Sequence, residues 1–175
     1  MIDFTHNNIR FVHRTAAVAV RNGHALLHRA SWENFWSLPG GRIEMHETAA
    51  EAIVREMHEE INTRVHVGRL LWAAENFFEY NHQDFHELGL YFHITLPLES
   101  PCLKVNQFLG DEGGIPLIYR WFPLDALEPL ELYPAFLKTG LQRLPKSPEH
   151  IIINRPEPLP LYGNVPRKGF ANLNS

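Results

Sequence analysis

Three glutamates lie close together in the segment REMHEEIN, which covers residues 55–62. At about 100° per residue, a helix would bring Glu56, Glu59 and Glu60 into one sector roughly 100° wide. Like charges at this spacing repel one another, and Glu60 falls at the edge of the arc that apolar residues occupy. An unpaired charge beside a core is unfavourable. The spacing therefore indicates a specific requirement for negative charge, with an ordinary solvated acidic surface as the alternative.

A hard divalent cation would account for both the crowding and the burial. Mg²⁺ prefers carboxylate oxygens and water, and its sites often take a further oxygen from a substrate phosphate. Carboxylate oxygen also suits Mn²⁺. This region holds no set of thiolates and no His-x-x-x-His spacing, so zinc fits less well. The three acids predict a Mg²⁺ site, or alternatively a Mn²⁺ site.

The acids lie in a predicted helix that covers about residues 49–61. Apolar residues recur there at helical spacing, namely Ala49, Ala50, Ile53, Val54, Met57 and Ile61. Thr48, followed three residues later by Glu51, fits a capping box. Before the helix, the run Pro39-Gly40-Gly41 closes a short apolar stretch and predicts a strand that enters a loop.

The loop and helix together resemble the Nudix box, Gly-x5-Glu-x7-Arg-Glu-(apolar)-x-Glu-Glu-x-Gly-(apolar). In GGRIEMHETAAEAIVREMHEEIN, Gly41, Glu47 and Arg55 stand at the spacings of that pattern, followed by the three acids. WSLPGG before the box and RWFPLDAL after it extend the resemblance over about residues 10–144. The resemblance implies the Nudix fold, an α+β domain with a mixed sheet between helices.

Three residues depart from the usual pattern. His46 stands where many members have glycine, Asn62 replaces the last glycine of the box, and Thr63 replaces an apolar residue. Asparagine is the residue best suited, after glycine, to the left-handed position that ends a helix. We expect these changes to affect the shape of the loop more than activity.

The resemblance implies a hydrolase that cleaves the diphosphate linkage of a nucleoside diphosphate derivative with a metal-activated water. It implies a metal held by Glu56, Glu59, Glu60 and the carbonyl of Gly40, with Mg²⁺ as the ion and Mn²⁺ as an alternative. Glu47 and Arg55 correspond to the pair that orients the helix and positions Glu56. The implied substrate is a small nucleotide or nucleoside diphosphate compound. A nucleotide sensor without catalysis is the alternative, although such modules usually lack box acids.

Some Nudix members use a further carboxylate from a distant segment as a base or metal ligand. Glu112 is the first candidate here and completes the catalytic set, with Glu87 and Glu75 behind it. Each of the three also suits an ordinary surface or strand position. Several aromatic residues could stack on a nucleobase, but core packing is the favoured interpretation for most of Trp32, Phe35, Trp36, Phe77, Phe78 and Tyr80. His46, His58, His82 and His86 could approach the site as acids or phosphate ligands. Surface or hairpin positions are favoured for each, and His46 differs in lying inside the loop.

The remaining chain predicts strands around this loop and helix. Asn22-Gly23 favours a hairpin between strands at about 12–20 and 24–30. Two long segments rich in β-branched and aromatic residues, separated by NHQD, predict another hairpin within residues 64–96. We predict a polar loop at NQFLGDEGGIP, followed by a strand at LIYRWF. A helical turn is predicted at PLDALEPL, and a second amphipathic helix at YPAFLKTGLQRL. We expect one domain over residues 1–150 and a proline-rich extension over 151–175, with a strand at HIIIN.

The composition narrows the class of protein. A formal net charge of −4 gives no basic surface for a long nucleic acid, and no window approaches the roughly 18 apolar residues of a membrane span. The only cysteine, Cys102, rules out an internal disulfide. We therefore expect a cytoplasmic protein that binds a small molecule, and the family resemblance adds the expectation of a homodimer.

Overall fold

The computed structural model describes residues 1–154, which form eight strands and two α-helices. The strands are β1 Asp3–His6, β2 Ile9–Arg21, β3 His24–Ala30, β4 His66–Tyr80, β5 Gln83–Thr95, β6 Gln107–Glu112, β7 Ile115–Pro123 and β8 Glu149–Ile153. The helices are α1 Ala49–Ile61 and α2 Leu137–Gly140, with short 3-10 turns at Pro101–Leu103 and Leu124–Ala126.

The strands form one mixed sheet in the order β6-β7-β3-β2-β5-β4-β8, and β1 pairs with β2. The β2–β5 and β4–β8 pairs are parallel, and the other pairs are antiparallel. β2 and β3 share only two residue pairs beside their hairpin turn and then diverge. Residues 39–43 run along β2 in the gap, where the N–H groups of Ala17 and Thr15 donate to the carbonyls of Pro39 and Gly41 at 2.7 and 2.9 Å. The divergence of the strands thus makes room for the glycine loop.

Apolar side chains cover both faces of the sheet. On one face, Ile53 and Met57 of α1 are fully buried in a cluster with Leu26 and Tyr119. On the other, a second cluster surrounds Trp72 and extends to α2 and its flanking turns. The sheet therefore lies between helical layers, and the predicted α+β class is confirmed.

Most predicted elements are confirmed, including the helix at 49–61, both hairpins, the turn at PLDALEPL and the strand at HIIIN. The prediction of a polar loop at 107–112 was wrong. Gln107–Glu112 pairs with β7 through a turn at Gly113 and Gly114, both of which have positive φ. As an edge strand β6 can carry polar residues on its exposed positions.

Two other segments are less regular than predicted. The second helix reduces to four residues, because the N–H groups of Gln142 and Arg143 turn to the carbonyls three residues earlier. The strand expected before the glycines reduces to isolated bridges, Trp36 with Leu132 and Ser37 with His28. In both segments, loop contacts replace the regular hydrogen-bond pattern.

The predicted boundary at residue 150 falls inside strand β8, and the division into a domain and an extension stays a prediction. Most of the predicted extension, residues 155–175, lies outside the described residues. None of the helices within residues 1–154 is long and apolar enough to cross a membrane.

Candidate active site

Helix α1 is capped at both ends by its own sequence. Thr48 accepts from the N–H of Glu51 at 3.3 Å, and Glu51 accepts from the N–H of Thr48 at 2.9 Å, which completes the predicted capping box. Asn62 ends the helix at φ 48° and ψ 41°, and its N–H donates to the carbonyl of His58 at 2.9 Å. The predicted left-handed stop is thus confirmed. These caps fix the three acids in the last two turns of α1.

The glycine loop lies directly against the first of these acids. A Cβ on Gly41 would stand 2.2 Å from Oε1 of Glu56, so a side chain at Gly41 would displace this carboxylate. Gly40 has φ +135°, and a Cβ there would stand 2.3 Å from the carbonyl oxygen of Thr15. Among the loop backbone hydrogen bonds of residues 1–154, the carbonyl of Gly40 accepts none. The loop therefore combines a close fit to Glu56 with a carbonyl that is available to a ligand.

Arg55 joins the loop to the acidic helix. Its Nε and Nη2 donate to the two carboxylate oxygens of Glu47 at 2.8 and 2.9 Å, and Nη2 also donates to the carbonyl of Arg42 at 3.1 Å. Its Nη1 donates to Glu56 at 2.7 Å and to Glu59 at 3.3 Å. The hydrogen bonds from Arg55 lower the pKa of Glu47 against the opposing effect of burial. Arg55 thus links Glu47 of the loop to Glu56 and Glu59 of the helix, and the positioning role expected of Glu47 and Arg55 stays a prediction.

Within the acidic set, Glu60 is buried, Glu56 is half-buried and Glu59 is exposed. Burial raises the pKa of Glu56, and the charges of Glu60 and Glu59 add to this effect, although Arg55 opposes it. Glu60 is only 4% exposed and accepts a hydrogen bond from the hydroxyl of Tyr119. The structure thus gathers excess negative charge in a poorly solvated place, which is unfavourable unless a cation compensates it.

The buried ring of His28 also faces Glu60. Its Nδ1 stands 3.6 Å from Oε2 of Glu60 and makes no hydrogen bond among the described residues. The ring packs on Tyr119, with centroids 5.3 Å apart. Burial, followed by the charge of Glu60, raises the pKa of the Tyr119 hydroxyl well above its usual value, so Tyr119 stays a hydrogen-bond donor. Tyr119 of β7 therefore binds the carboxylate of Glu60, and His28 of β3 lies beside it.

The donor set fits a hard divalent cation. All four predicted donors offer oxygen: the carboxylates of Glu56, Glu59 and Glu60, and the carbonyl of Gly40. Glu59 has the most exposed side chain, at 58%, and its carboxylate contacts only Arg55 among the described residues. Within residues 1–154, no three acidic, histidine or cysteine side chains already converge into a coordination set. Arg55 binds Glu56, and Tyr119 binds Glu60.

The additional carboxylates lie in different surroundings. Glu112 is exposed at the end of β6, the strand whose Gly110 lies against the backbone carbonyl of Glu60. Glu75 forms a hydrogen bond with His150 of β8 at 2.8 Å. Glu87 is buried and faces Arg14 at 3.8 Å. Of the three candidates, Glu112 is the one that the structure brings toward the acidic helix.

The candidate aromatic residues and histidines mostly contact one another. Trp36 packs on Phe122, Phe35 contacts Tyr80 and Tyr133, Phe78 stacks on Phe85, and Phe77 stacks on His86, whereas Trp32 is exposed. His58 and His82 lie on the surface. His46 adopts φ 64° inside the loop. Core or surface packing thus accounts for most of these residues.

Sequence reasoning missed four polar residues of the sheet. His28 and Tyr119 lie beside Glu60, Arg14 pairs with Arg42 of the loop, and Asn76 is the register partner of Glu87. A signal existed for Arg14, since its alternation with Ala16 and Val18 put a charge on an inward-facing strand position. The positions of His28, Asn76 and Tyr119 depend on how the strands pair, which the sequence alone does not specify.

The sequence model of the NUDIX domain matches residues 12–144 of this chain. This match covers more than half of the chain, and the chain therefore belongs to the Nudix family.

Relatives with curated names match a shorter region. The RNA pyrophosphohydrolases of Haemophilus influenzae strains PittEE and 86-028NP are each 33% identical over 60 residues, which is 34% of this chain and 31% of theirs. The chain thus spans about a third of the length of the curated relatives it matches.

Solved structures share the fold at low sequence identity. A UDP-X diphosphatase is 22% identical, with a TM-score of 0.55 over 75% of this chain and 60% of that one. An ADP-ribose pyrophosphatase from Streptococcus suis is 18% identical, with a TM-score of 0.54 over 81% and 98%. A MutT protein from Methanosarcina mazei is 20% identical, with a TM-score of 0.55 over 76% and 91%. At these identities the likeness concerns the fold alone.

Proposed function

We propose that this chain is a divalent-metal-dependent pyrophosphohydrolase that cleaves the diphosphate linkage of a small nucleotide or nucleoside diphosphate derivative. The observation that carries this function is the carboxylate of Glu56 packed against Gly41, with Glu59 and Glu60 one turn further along the helix. Nudix hydrolases generally use a divalent metal ion. The names of the relatives, an RNA pyrophosphohydrolase, a UDP-X diphosphatase and an ADP-ribose pyrophosphatase, share the cleavage of phosphoric anhydrides.

Glu56, Glu59, Glu60 and the carbonyl of Gly40 would hold the ion, which we take to be Mg²⁺ with Mn²⁺ as an alternative. Bound there, the ion would neutralise the diphosphate and make a water molecule more acidic for attack on phosphorus. The excess negative charge around Glu56 supports this assignment, because the cation would compensate a charge that burial makes unfavourable.

The protein groups have separate tasks in this reaction. Glu47 holds the guanidinium of Arg55 through two hydrogen bonds, and this fixed guanidinium orients Glu56. Tyr119 orients Glu60 by donating its hydroxyl proton. Glu112, at the end of β6, is our candidate for the carboxylate that accepts the proton of the attacking water.

The substrate class follows from charge and size. A net charge of −4 disfavours a long polyanion, whereas a small diphosphate needs only the local compensation that a metal supplies. We propose a cytoplasmic enzyme without membrane contact. A homodimer would be consistent with the family.

Substitution of Glu59 by glutamine tests the mechanism with little effect on folding, because this side chain is largely exposed. The wild type and Glu59→Gln would be assayed for phosphate release, with a coupled phosphatase, on nucleotides, dinucleotides, nucleotide sugars and other diphosphate cofactors with Mg²⁺ or Mn²⁺. We expect activity to fall about 100-fold or more in the variant. Glu79→Gln, an exposed change on β4, is the matched control and should retain activity.

Equal activity of Glu59→Gln and the wild type at saturating metal would contradict the proposed mechanism. If the wild type binds nucleotides tightly but turns over none of them with either ion, the chain is instead a nucleotide-binding module of the same fold.

A further inference from the structure

A second polar cluster lies on the face of the sheet opposite α1, and we name it the Arg14 cluster: Arg14, Asn76 and Glu87. Asn76 of β4 is the direct register partner of Glu87 of β5, and Glu87 is paired with Val12, two residues before Arg14 in β2. Side chains of direct partners, and of residues two apart along a strand, lie on one face. The three side chains therefore project together into the layer that contains Trp72.

The side chains of Glu87 and Asn76 are largely buried, whereas that of Arg14 is 28% exposed and keeps one fully buried polar atom. Glu87 is 6% exposed and Asn76 is 7% exposed, and neither side chain makes a hydrogen bond with another described residue. Nη1 of Arg14 stands 3.8 Å from Oε2 of Glu87, which is too long for a direct hydrogen bond, and Nε of Arg14 is buried without a partner in residues 1–154. Buried polar groups are nearly always hydrogen-bonded. The Arg14 cluster thus has donors and acceptors available for a bound molecule.

The cluster adjoins the acidic site. Arg14 pairs with Arg42 across the strand gap, and the next residue, Thr15, donates its N–H to the carbonyl of Gly41. Burial lowers the pKa of Arg14, but the charges of Glu87, Glu60 and Glu56 together hold it above its ordinary value. Arg14 thus faces Glu87 at 3.8 Å and lies in the part of β2 that pairs with the glycine loop. A molecule with its phosphates at the glycine loop could extend to the cluster.

The chemistry of the cluster favours an uncharged, planar, polar group. Arg14 and Glu87 cancel in charge, so that the cluster gives little net attraction for a further phosphate. The guanidinium of Arg14 is a donor beside the carboxylate acceptor of Glu87. The amide of Asn76 offers both a donor and an acceptor. The hydrogen-bonding edge of a nucleobase carries an adjacent acceptor and donor, which complements this arrangement. Aromatic rings flank the cluster along the strands, with Tyr91 on one side and the stacked pair Phe78 and Phe85 on the other.

We propose that Arg14, Asn76 and Glu87 read the hydrogen-bonding edge of the substrate's nucleobase. This assignment rests on the proposed function, because the phosphates at the glycine loop determine where the base lies. It makes Glu87 a specificity-determining residue rather than a base in catalysis.

Binding of nucleoside monophosphates by titration calorimetry tests this assignment without turnover. AMP, GMP, CMP and UMP would be compared with ribose 5-phosphate, on the wild type and on Glu87→Gln and Asn76→Ala. We expect at least one nucleotide to bind about 10-fold more tightly than ribose 5-phosphate to the wild type. Each substitution should remove about 10-fold of that preference and change the order of the four bases, with ribose 5-phosphate unaffected. Glu79→Gln is the control, and it should match the wild type.

Kinetics separate recognition from catalysis. On the preferred nucleotide substrate, both variants should raise KM about 10-fold while kcat stays within about threefold, because the lost contacts act on binding. If Glu87→Gln fails to fold because it leaves Arg14 uncompensated, Asn76→Ala decides, since it leaves both charges in place.

Two results would overturn the assignment: an equal loss of affinity for ribose 5-phosphate and the nucleotides, or unchanged base preference in folded variants. An equal loss of affinity would mean that the cluster recognises the sugar. An unchanged base preference would mean that the cluster binds water instead of the base. Base-selective binding that depends on Glu87, in a protein without hydrolysis, would instead contradict only the proposed function. Hydrolysis with unchanged base preference would contradict only the base-reading role.

Discussion

Gly41 contacts the carboxylate of Glu56 so closely that a Cβ on the glycine would stand 2.2 Å from Oε1 and 2.8 Å from Oε2. The preceding residue, Gly40, is restricted in another way, since its φ is +135° and a Cβ would meet backbone atoms of Thr15 and Ala16. A flexible carboxylate can move away, whereas a paired strand cannot. A side chain would therefore disturb different features at the two glycines, the carboxylate of Glu56 at Gly41 and the backbone packing of the loop at Gly40.

Alanine at each glycine should separate these two effects. Gly41→Ala should keep the melting temperature within a few degrees but lower Mn²⁺ affinity and hydrolysis about 10-fold to 100-fold, because Glu56 is displaced. Gly40→Ala should lower the free energy of unfolding by about 3 kcal/mol or more, since a strained φ and a backbone clash add together. Urea denaturation and Mn²⁺ titration calorimetry measure the two effects.

Gly113→Asn provides the control for this pair, because Gly113 lies in an open turn at φ +60°, which asparagine tolerates. It should leave both stability and Mn²⁺ affinity near the wild-type values. Normal metal affinity in Gly41→Ala would show that Glu56 does not depend on this contact.

His46 occupies a backbone conformation that glycine adopts more easily. Its φ is 64° in the loop between Glu44 and Glu47. The left-handed conformation costs a non-glycine residue about 1–2 kcal/mol, which a glycine would not incur. The greater freedom of glycine in the unfolded chain offsets about 0.5–1 kcal/mol of this stabilisation. We expect His46→Gly to raise the free energy of unfolding by about 0.5–1 kcal/mol, as measured by urea denaturation.

The same substitution in helix α1 should have the opposite sign. His58 is exposed in the helical interior, so that His58→Gly should lower the free energy of unfolding by about 0.5 kcal/mol. A loss of stability in His46→Gly would mean that the imidazole makes a contact which outweighs the backbone strain.

The sequence was sufficient for features that depend on neighbouring residues. The capping box of Thr48 and Glu51 and the left-handed stop at Asn62 involve only residues a few positions apart, and their predictions are confirmed. The hairpin at Asn22-Gly23 is local in the same sense. Capping and turn formation follow from side-chain chemistry and allowed φ values, which the sequence states directly.

Features that depend on strand register could not be predicted in this way. Tyr119 reaches Glu60 across 59 residues, and Arg14 meets Glu87 across the parallel β2–β5 pair. A shift of one residue in register would turn each side chain to the other face. Strand β6 was missed because its polar composition resembles a loop, while its pairing depends on the turn at Gly113 and Gly114.

Asp3 should make stability depend on acidic pH. Arg10 and Arg42 donate to its carboxylate, with Arg10 Nε to Oδ1 at 2.7 Å and Arg42 Nη1 to Oδ2 at 2.6 Å. The hydrogen bond from Arg10, followed by that from Arg42, lowers the pKa of Asp3 to about 2 against the effect of burial. Because this folded pKa is below the unfolded value near 4, the stabilisation is complete above about pH 4 and is lost as the pH falls through about 2.

Urea denaturation of the wild type and Asp3→Asn at pH 5, 4, 3 and 2 measures this contribution. The wild type should exceed Asp3→Asn in stability at pH 5, and the difference should shrink toward zero at pH 2. Asp84→Asn, an exposed change with no ion pair to a described residue, should follow the wild-type curve. A constant difference between wild type and Asp3→Asn at all four values would exclude the ion pairs as its cause.

Tyr119 should determine both the stability and the metal affinity of the site through Glu60. Its hydroxyl donates to Oε2 of Glu60 in a buried environment. Nδ1 of His28 stands 3.6 Å from the same oxygen. Tyr119→Phe keeps the ring but leaves a buried carboxylate without its donor, so the free energy of unfolding should fall by about 1–3 kcal/mol. Mn²⁺ affinity should fall about 10-fold or more, because Glu60 loses its orientation.

Tyr133→Phe is the matched control, since the hydroxyl of Tyr133 donates to the carboxylate of Glu131 at 2.9 Å on the exposed surface. There, water replaces the lost partner, and we expect a change in stability of less than about 0.5 kcal/mol and unchanged Mn²⁺ affinity. Mn²⁺ should also raise the melting temperature of the wild type more than that of Tyr119→Phe, because the bound ion stabilises the folded state in proportion to its affinity. Equal shifts in the two proteins would show that Tyr119 supports the fold alone and leaves the metal ligands unaffected.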